Sequence, residues 1–195
     1  MKIKTIDELT KTLSSIPSIT KKQAEKLANY LLTVSDQKIV AIIDQIKEAK
    51  SKLKSCQKCN FIEENGKCVN CDRADLWNIL MVVENVQSVK KIYDLDFFNG
   101  YFYVLPYLMS MKPKDQNADF NYSHLLTFAK NKNIKEAIIV LSPTLEGELT
   151  TTQLIQIFDE NKIKSTRAAI GLPINSNIEY IDGFTIKQAI ENRTK

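Results

Sequence analysis

All four cysteines of the chain fall in two CxxC pairs, Cys56–Cys59 and Cys68–Cys71, with eight residues between the pairs. The surrounding stretch, residues 54–75, has few apolar side chains, so burial alone cannot fold it. Each pair can turn two thiolates toward one ion, and two pairs complete the tetrahedron that Zn²⁺ prefers. The spacing predicts one structural Zn²⁺ per chain, with no open position for water. Redox-active or plain thiols are the alternative, although a redox CxxC usually occurs singly at the start of a helix.

The first part of the chain, residues 1–53, shows the apolar spacing of three amphipathic helices. Pro17 ends the first helix, the second begins near Lys21, and the third follows Ser35. Capping boxes are predicted at Thr5–Glu8 and Thr20–Gln23, where each Thr hydroxyl can accept from a free amide of the first turn. A helical hairpin packed on a third helix is expected. The third helix should turn four isoleucines inward: Ile39, Ile42, Ile43 and Ile46.

From residue 77 onward, apolar runs of strand length alternate with helical patterns. Such alternation predicts an α/β domain with a largely parallel sheet covered by helices. A polar loop with Pro113 and Asp115 separates the second strand from the next helix. Strands are predicted at 79–83, 101–105, 137–141, 168–170 and 178–181, and a final helix is predicted from Thr185.

Three glutamates follow the predicted strands at their carboxyl ends: Glu84 after the first strand, and Glu146 and Glu148 after the third. Because the carboxyl ends of parallel strands meet at one edge of a sheet, these carboxylates are expected to share an acidic edge. Such an edge could hold Mg²⁺ through oxygen ligands or dock a partner. Scattered surface glutamates are the plain alternative.

A basic hairpin lies at the start of the second helix, with Lys21, Lys22 and Lys26 near its first turn. A tight turn into a helix offers free backbone amides to a phosphate, and the lysines add positive charge. The net charge of +4 permits nucleic-acid binding without requiring it. An ordinary solvated lysine face is the alternative interpretation.

Several functions lack the residues they need. No apolar run approaches the length of a membrane span, and no signal-peptide core follows Met1, so a cytoplasmic protein with reduced thiols is expected. No GxxxxGK[ST] phosphate loop is present for ATP hydrolysis. The single histidine, His124, lies in a predicted helix and has no free cysteine to pair with, so it is not expected to act as a catalytic base.

These features, in this order and over essentially the whole chain, resemble the RecR family of bacterial recombination mediators. The segment 142–148, Ser-Pro-Thr-Leu-Glu-Gly-Glu, resembles the family's N-P-T-x-E-G-E-x-T stretch, and Val82-Val83-Glu84 matches its first Toprim strand. The segment 171–183 resembles the family's terminal G-[LV]-P…D-G pattern. The resemblance implies an α+β, α/β multidomain fold of four parts. These are a helix-hairpin-helix domain at 1–53, a zinc finger at 54–75, a Toprim domain at 76–165 and a C-terminal Walker B-like segment at 166–195.

The chain departs from the family at several turns. Ser18 and Thr20 stand where the hairpin usually has glycine, and Lys21 stands where it has proline. Without glycine a positive φ is costly, so the phosphate contact is expected to rest on lysine side chains. The loop at 106–113 differs from the family sequence, and Asn175-Ser176 replaces a common glycine.

The resemblance also implies a function. The family forms a dimer or tetramer ring, binds single- and double-stranded DNA, joins RecO and in many bacteria RecF, and helps place RecA on single strands. Lys21, Lys22 and Lys26 would line the DNA face, the three glutamates would face the protein partner, and no bond would be made or broken. A small Mg²⁺-dependent Toprim nuclease or primase is the alternative, although such enzymes usually carry D-x-D where this chain has Glu146-Gly147-Glu148. A zinc-stabilised scaffold that binds only protein is a third possibility.

Overall fold

The computed structural model describes residues 3–110 and 121–193. Contacts divide the chain into two compact units, Met1–Lys52 and Leu53–Lys195, which are described separately below. The predicted loop positions Pro113 and Asp115, and the end of the segment 106–113, lie outside the described residues.

The first unit contains three helices: α1 (Lys4–Ser14), α2 (Lys21–Tyr30) and α3 (Asp36–Lys52). The capping box at the start of α2 is confirmed, because Thr20 Oγ1 accepts from Gln23 N at 3.3 Å and Gln23 Oε1 accepts from Thr20 N at 2.9 Å. The capping box at Thr5 is wrong: Ile3 is the N-cap of α1, with no side-chain cap, so Thr5 already lies inside the first turn.

The apolar face of α3 does not point inward, contrary to the sequence prediction. No residue of α3 is buried, Ile39 is half-buried, and Ile42, Ile43 and Ile46 are 40%, 44% and 64% exposed. Among the described residues of this unit, the buried ones are Ala24, Ala28 and Thr10, where α1 packs on α2. Helical periodicity specifies that one face is apolar, but it does not specify what covers that face.

The cysteine segment opens the second unit with a small antiparallel sheet of three strands, ordered β1-β2-β3. Strands β2 and β3 are joined at Asn65 and Gly66, whose positive φ values of 51° and 78° fit a two-residue hairpin turn. The sheet consists of β1 (Leu53–Ser55), β2 (Ile62–Glu64) and β3 (Lys67–Cys68).

The larger sheet of the second unit has four strands in the order β5-β4-β6-β7, and its three pairings are all parallel. The predicted mixed α/β fold with a largely parallel sheet is therefore confirmed. Its strands are β4 (Trp77–Val83), β5 (Gly100–Val104), β6 (Glu136–Val140) and β7 (Lys164–Arg167). Its helices are α4 (Val86–Tyr93), α5 (Ser123–Asn131) and α6 (Leu145–Glu160).

Alternate side chains of β4 enter two different cores. Leu80 and Val82 join the larger cluster, which includes Leu125 of α5 and Leu154 of α6. Met81 and Val83 join a smaller cluster around Val89 of α4. Successive residues of a strand point to opposite faces of the sheet, which is why the side chains of β4 divide between two cores. Both sides of β4 are apolar because helices cover both faces of the sheet.

Two strand predictions near the C-terminus are wrong. A strand is predicted at 168–170, but the observed strand, β7, begins four residues earlier, at Lys164. Its polar sequence, Lys-Ser-Thr-Arg, pairs with β6 at the edge of the sheet. The strand expected at 178–181 is a single 3₁₀ turn, Ile178–Tyr180, capped by Asn177. The last helix, α7 (Gly183–Glu191), begins after Asp182, whose carboxylate accepts from Thr185 N at 2.9 Å. Within residues 3–110 and 121–193, no helix combines the length and apolar character needed to cross a membrane.

Candidate functional site

The four cysteines come together as the spacing predicts. All four side chains are buried and reduced, and their sulfur atoms lie within 4.8 Å of one another. The Sγ atoms of Cys59 and Cys68 are 3.7 Å apart, and those of Cys56 and Cys71 are 4.0 Å apart. A disulfide would place two sulfurs at about 2.05 Å, so the separation is that of ligands and not of cross-links.

These distances fit a tetrahedral metal ion. With Zn–S bonds of about 2.3 Å, the sulfurs of a regular tetrahedron lie roughly 3.8 Å apart. The two sulfur separations of 3.7 Å and 4.0 Å bracket that value. The cysteine segment can therefore hold one metal ion with four thiolate ligands.

Backbone amides and neighbouring thiols set the charge of the sulfurs. Hydrogen bonds from the Cys59 and Cys71 side chains, and then from backbone amides, hold the pKa of Cys68 well below its ordinary value. The hydrogen bond to Cys68, and then burial, raises the pKa of Cys59 to about 12. Because a thiol must lose its proton to bind a metal ion, metal binding by this segment should release protons.

Two polar residues that the sequence analysis does not identify support the sulfurs. The Asp72 carboxylate accepts from Cys68 N at 2.8 Å and from Lys58 Nζ at 3.3 Å, which ties the first CxxC pair to the second. The hydrogen bond from Cys68 N, and then the one from Lys58, lowers the pKa of Asp72. Asn70 is buried, and its amide lies 3.3 Å from Cys59 Sγ. In the sequence, only their positions could have indicated this role: Asn70 lies inside the second CxxC pair and Asp72 directly follows it.

The acidic edge lies where β4 and β6 end. Glu84 follows β4, and its carboxylate accepts from Ser142 Oγ at 2.6 Å and from Ser142 N at 3.2 Å in the loop after β6. Glu146 and Glu148 occupy the first turn of α6. Glu148 pairs with Arg167 at 2.7 Å, whereas the Glu146 carboxylate has no partner among the described residues.

These three carboxylates do not form a metal-binding cluster like that of the cysteines. In the part of the chain that the structure describes, the four cysteines are the only group of three or more His, Cys, Asp or Glu side chains with ligand atoms within 4.8 Å of one another. At the acidic edge, Glu146 is therefore unpaired among the described residues, Glu84 accepts from Ser142, and Glu148 forms an ion pair with Arg167.

The basic hairpin leads into α2 with three exposed lysines, Lys21, Lys22 and Lys26, none of which has a carboxylate partner within the described ranges. Ser18 adopts a φ of 70°, so the turn keeps a left-handed residue at the position where glycine is usual. His124 lies on α5, as expected, and its Nδ1 is 2.8 Å from the Tyr103 hydroxyl.

The chain matches two protein-family models: a Toprim domain over residues 78–169 and the C-terminal segment of RecR over residues 171–194. It is similar along its length to proteins named recombination protein RecR. The one from Mycoplasmopsis pulmonis is 35% identical over 99% of this chain and all of the relative. Those from Bifidobacterium adolescentis and Finegoldia magna are 33% and 32% identical, over 96% and 97% of this chain and 94% and 96% of the relatives.

The fold and the site together define a Toprim-type α/β protein with four cysteines placed so that they could hold one metal ion. Full-length similarity narrows this class further. The chain belongs to the RecR family of recombination proteins.

Proposed function

We propose that this protein is a recombination mediator in DNA repair that works by position and catalyses no reaction. The observation that carries the proposal is the similarity to recombination proteins over at least 96% of the chain. In this proposal, residues 1–53 bind DNA and the Toprim domain at 76–165 docks the protein partner. The segment at 54–75 is a finger stabilised by a metal ion, and residues 166–195 form the Walker B-like segment.

The metal in this proposal is one structural Zn²⁺ per chain. Four thiolates at tetrahedral separation are the ligand set that Zn²⁺ takes in closed structural sites. When bound, the ion supplies folding free energy to a segment that has little apolar core. Thiolate ligands must stay reduced, which favours a cytoplasmic location.

DNA binding, to single and double strands, is assigned to the exposed lysines of α2. Lys21, Lys22 and Lys26 project from the first two turns of a helix whose free amides carry partial positive charge. Lysines that meet phosphates carry no base information, so this binding should be independent of sequence.

Replacing Lys22 and Lys26 by alanine tests the DNA face. We expect weaker binding to DNA of any sequence. The slope of log affinity against log salt should flatten by about 0.7 to 0.9 for each phosphate that the variant no longer neutralises. The measurement is fluorescence anisotropy of labelled DNA at several salt concentrations. Lys47→Ala with Lys50→Ala on α3 removes the same charge and serves as the control. Equal slopes in the two double variants would place the DNA face elsewhere.

Protein partners are assigned to the acidic edge. The proposed partner is RecO, with RecF as a further one, and the resulting assembly places RecA on single-stranded DNA. Glu146 is the carboxylate best suited to meet a basic partner, since Glu84 and Glu148 already contact Ser142 and Arg167. Its position in the first turn of α6 leaves it half-buried, so a partner can reach it.

Reversing the charge with Glu146→Lys should abolish RecO binding and leave the fold intact. The loss should appear mainly as a slower on-rate with strong salt dependence, because charges across an interface steer encounter. DNA binding should stay equal or strengthen. Surface plasmon resonance with RecO measures the rates, and Glu160→Lys, at the far end of α6, is the matched control.

The enzymatic alternative predicts a catalytic activity in the same purified protein, whereas the mediator function predicts none. A Mg²⁺-dependent cleavage or synthesis of DNA that is present in the wild type and absent in Glu146→Gln would overturn the mediator function. Normal RecO binding by Glu146→Lys would remove the acidic edge from the partner interface.

The protein is also proposed to form a homo-oligomer, a dimer or a tetramer ring. Two apolar surfaces support this: the face of α3 with Val40 and Ile46, and the C-terminal segment, where Ile174 and Tyr180 are 92% and 88% exposed. Exposed patches of large apolar residues mark association sites in proteins.

A further inference from the structure

Strand β5 lies at one edge of the parallel sheet, with β4 on one side only. The backbone groups of Phe102 and Val104 point away from β4, because alternate residues such as Leu105 bond to it through their amides. An uncovered edge of this kind presents free N–H and C=O groups to any other strand.

The cysteine segment covers this edge completely at those two residues. Phe102 N donates to Asn70 Oδ1 at 3.0 Å, and Asn70 Nδ2 donates to Phe102 O at 2.8 Å. Val104 N donates to Cys59 O at 2.9 Å, and Asn60 Nδ2 donates to Val104 O at 2.9 Å. All four edge groups therefore have partners, and every partner lies between the first and last cysteine.

Asn70 is the residue that joins this edge to the sulfurs. Its side-chain amide pairs with both backbone groups of Phe102, as a neighbouring strand would. The same Nδ2 lies 3.3 Å from Cys59 Sγ and 3.9 Å from Cys71 Sγ, so its two hydrogens can serve the strand and a sulfur at once. Asn70 is only 3% exposed, so both bonds are shielded from solvent.

We propose that Asn70 is a positioning residue that couples metal loading of the four cysteines to closure of the β5 edge. A thiolate bound to a metal ion accepts a charge-assisted hydrogen bond from the Asn70 amide, which fixes the amide plane against Phe102. Without the ion, the hydrogen bond from Asn70 to sulfur loses its charged acceptor and its fixed geometry, so the segment is released and Phe102 and Val104 no longer have partners. The inference rests on the proposed metal centre and adds a residue and a consequence to it.

Variants at Asn70 and Asn60 separate this coupling from simple edge capping. Asn70→Ala removes the hydrogen bonds to Phe102 and to Cys59 Sγ. Asn60→Gly removes a bond to Val104 at the same edge, touches no sulfur through its side chain, and suits the positive φ of 59° at that position. Asn70→Ala removes one more bond to the strand than Asn60→Gly does, so the hydrogen bond to sulfur is identified by a spectrum that responds to the sulfurs themselves, in addition to metal affinity.

The first measurement is metal affinity, by competition of the full-length Zn²⁺-loaded protein with a chromogenic chelator. We expect the affinity of Asn70→Ala to fall by about 10- to 100-fold, the usual effect of removing a group that orients a metal ligand. Asn60→Gly should stay within about threefold of the wild type, since its thiolates keep their partners. In Co²⁺-loaded protein, the thiolate-to-metal charge-transfer band should shift in Asn70→Ala and not in Asn60→Gly.

The second measurement is amide hydrogen exchange at Phe102 and Val104. In metal-loaded Asn70→Ala, exchange should accelerate at Phe102 and stay slow at Val104, whose amide still donates to Cys59 O. Removing the metal from the wild type should accelerate exchange at both. If Asn70→Ala fails to fold, Asn70→Leu fills nearly the same volume and lacks the donor to sulfur without adding a charge, so its metal affinity should still fall.

Two outcomes would count against the inference and can be told apart. Unchanged affinity and an unshifted Co²⁺ band in the Asn70 variants, with faster exchange at Phe102, would make Asn70 a cap of the strand and nothing more. A wild-type protein that takes up neither Zn²⁺ nor Co²⁺ would overturn the metal centre itself, together with any coupling to it.

Discussion

At the scale of single residues, the four-cysteine cluster depends on side chains that are not among its candidate metal ligands. Asp72 links the backbone of Cys68 to the ammonium group of Lys58, and its pKa is lowered by those two hydrogen bonds. A carboxylate with a lowered pKa contributes stability above its unfolded value of 3.8, and that stability disappears as the pH falls through the folded value. Acid therefore acts on this centre twice, through Asp72 and through protonation of the thiolates.

Metal content gives the residue-scale prediction. Freshly reduced protein should contain about one Zn²⁺ per chain, the load of a single four-thiolate site. Cys59→Ser or Cys71→Ser should unfold residues 54–75, because metal binding supplies their folding free energy. Atomic emission spectrometry and amide exchange over this segment are the measurements. Content well under half an ion per chain would contradict the prediction.

The sequence predicts the cysteine ligands because their spacing is local, but it cannot predict the hydrogen bonds between Asn70 and Phe102, which are 32 residues apart. Ser18 and Asn175 illustrate a second limit. Both stand where the family usually has glycine, yet they take φ values of 70° and 62°. Serine and asparagine can adopt this conformation at a cost of about 1–2 kcal/mol, so the turn shape survives the replacement of glycine.

At the scale of elements, the start of α6 is fixed by the loop after β6. Thr144 caps the helix by accepting from Gly147 N at 3.1 Å. Gly147 packs so closely on this loop that a Cβ built there would lie 2.0 Å from Ser142 O. Ser142 in turn holds Glu84, so the close approach at Gly147 positions the whole acidic edge.

Gly147→Ala tests this packing. Alanine normally stabilises a helix by about 1 kcal/mol relative to glycine, but here it must push α6 away from Ser142. We expect a lower melting temperature and weaker RecO binding, measured by thermal denaturation and surface plasmon resonance. Gly183→Ala, at the first residue of α7, is the matched control, because no atom lies within 4 Å of a Cβ built there. An equal effect of both substitutions would rule out the steric explanation.

The elements differ in how far the sequence predicts them. Strand β4 is apolar on both faces and is predictable directly, because burial on two sides gives a continuous apolar run. Strand β7 carries the polar sequence Lys-Ser-Thr-Arg and gives no such signal, since an edge strand owes its place to pairing with β6. The segment at 178–181 alternates like a strand, but Asn177 caps it as a 3₁₀ turn.

At the scale of the whole molecule, the first unit buries very little apolar surface. From residue 3 to residue 52, its buried residues are two alanines and one threonine, whereas α3 exposes Val40, Ile43 and Ile46. A unit with so small a core gains stability when a second surface covers its apolar face. The sequence identifies the apolar face of α3 correctly but not the direction in which it points, because periodicity within one helix carries no information about association.

Introducing a charge on that face tests the oligomer. Ile46→Glu should lower the average mass measured by multi-angle light scattering and make the protein melt at a lower temperature, because burial of a glutamate at an interface is costly. Gln45→Glu places the same side chain on the neighbouring exposed position and should leave the mass unchanged. A mass that stays the same in Ile46→Glu would show that α3 lies outside the interface.

The order of synthesis gives the covered edge of β5 a further consequence. Translation completes Cys71 before it reaches Gly100, so the sulfurs can take up an ion while β5 is still inside the ribosome. The loaded segment then presents Asn70 and the carbonyl of Cys59 as a ready template for the emerging strand. If the ion is Zn²⁺, as proposed, a shortage of zinc should impair folding of newly made chains, in which the edge of β5 has yet to close, sooner than that of finished ones.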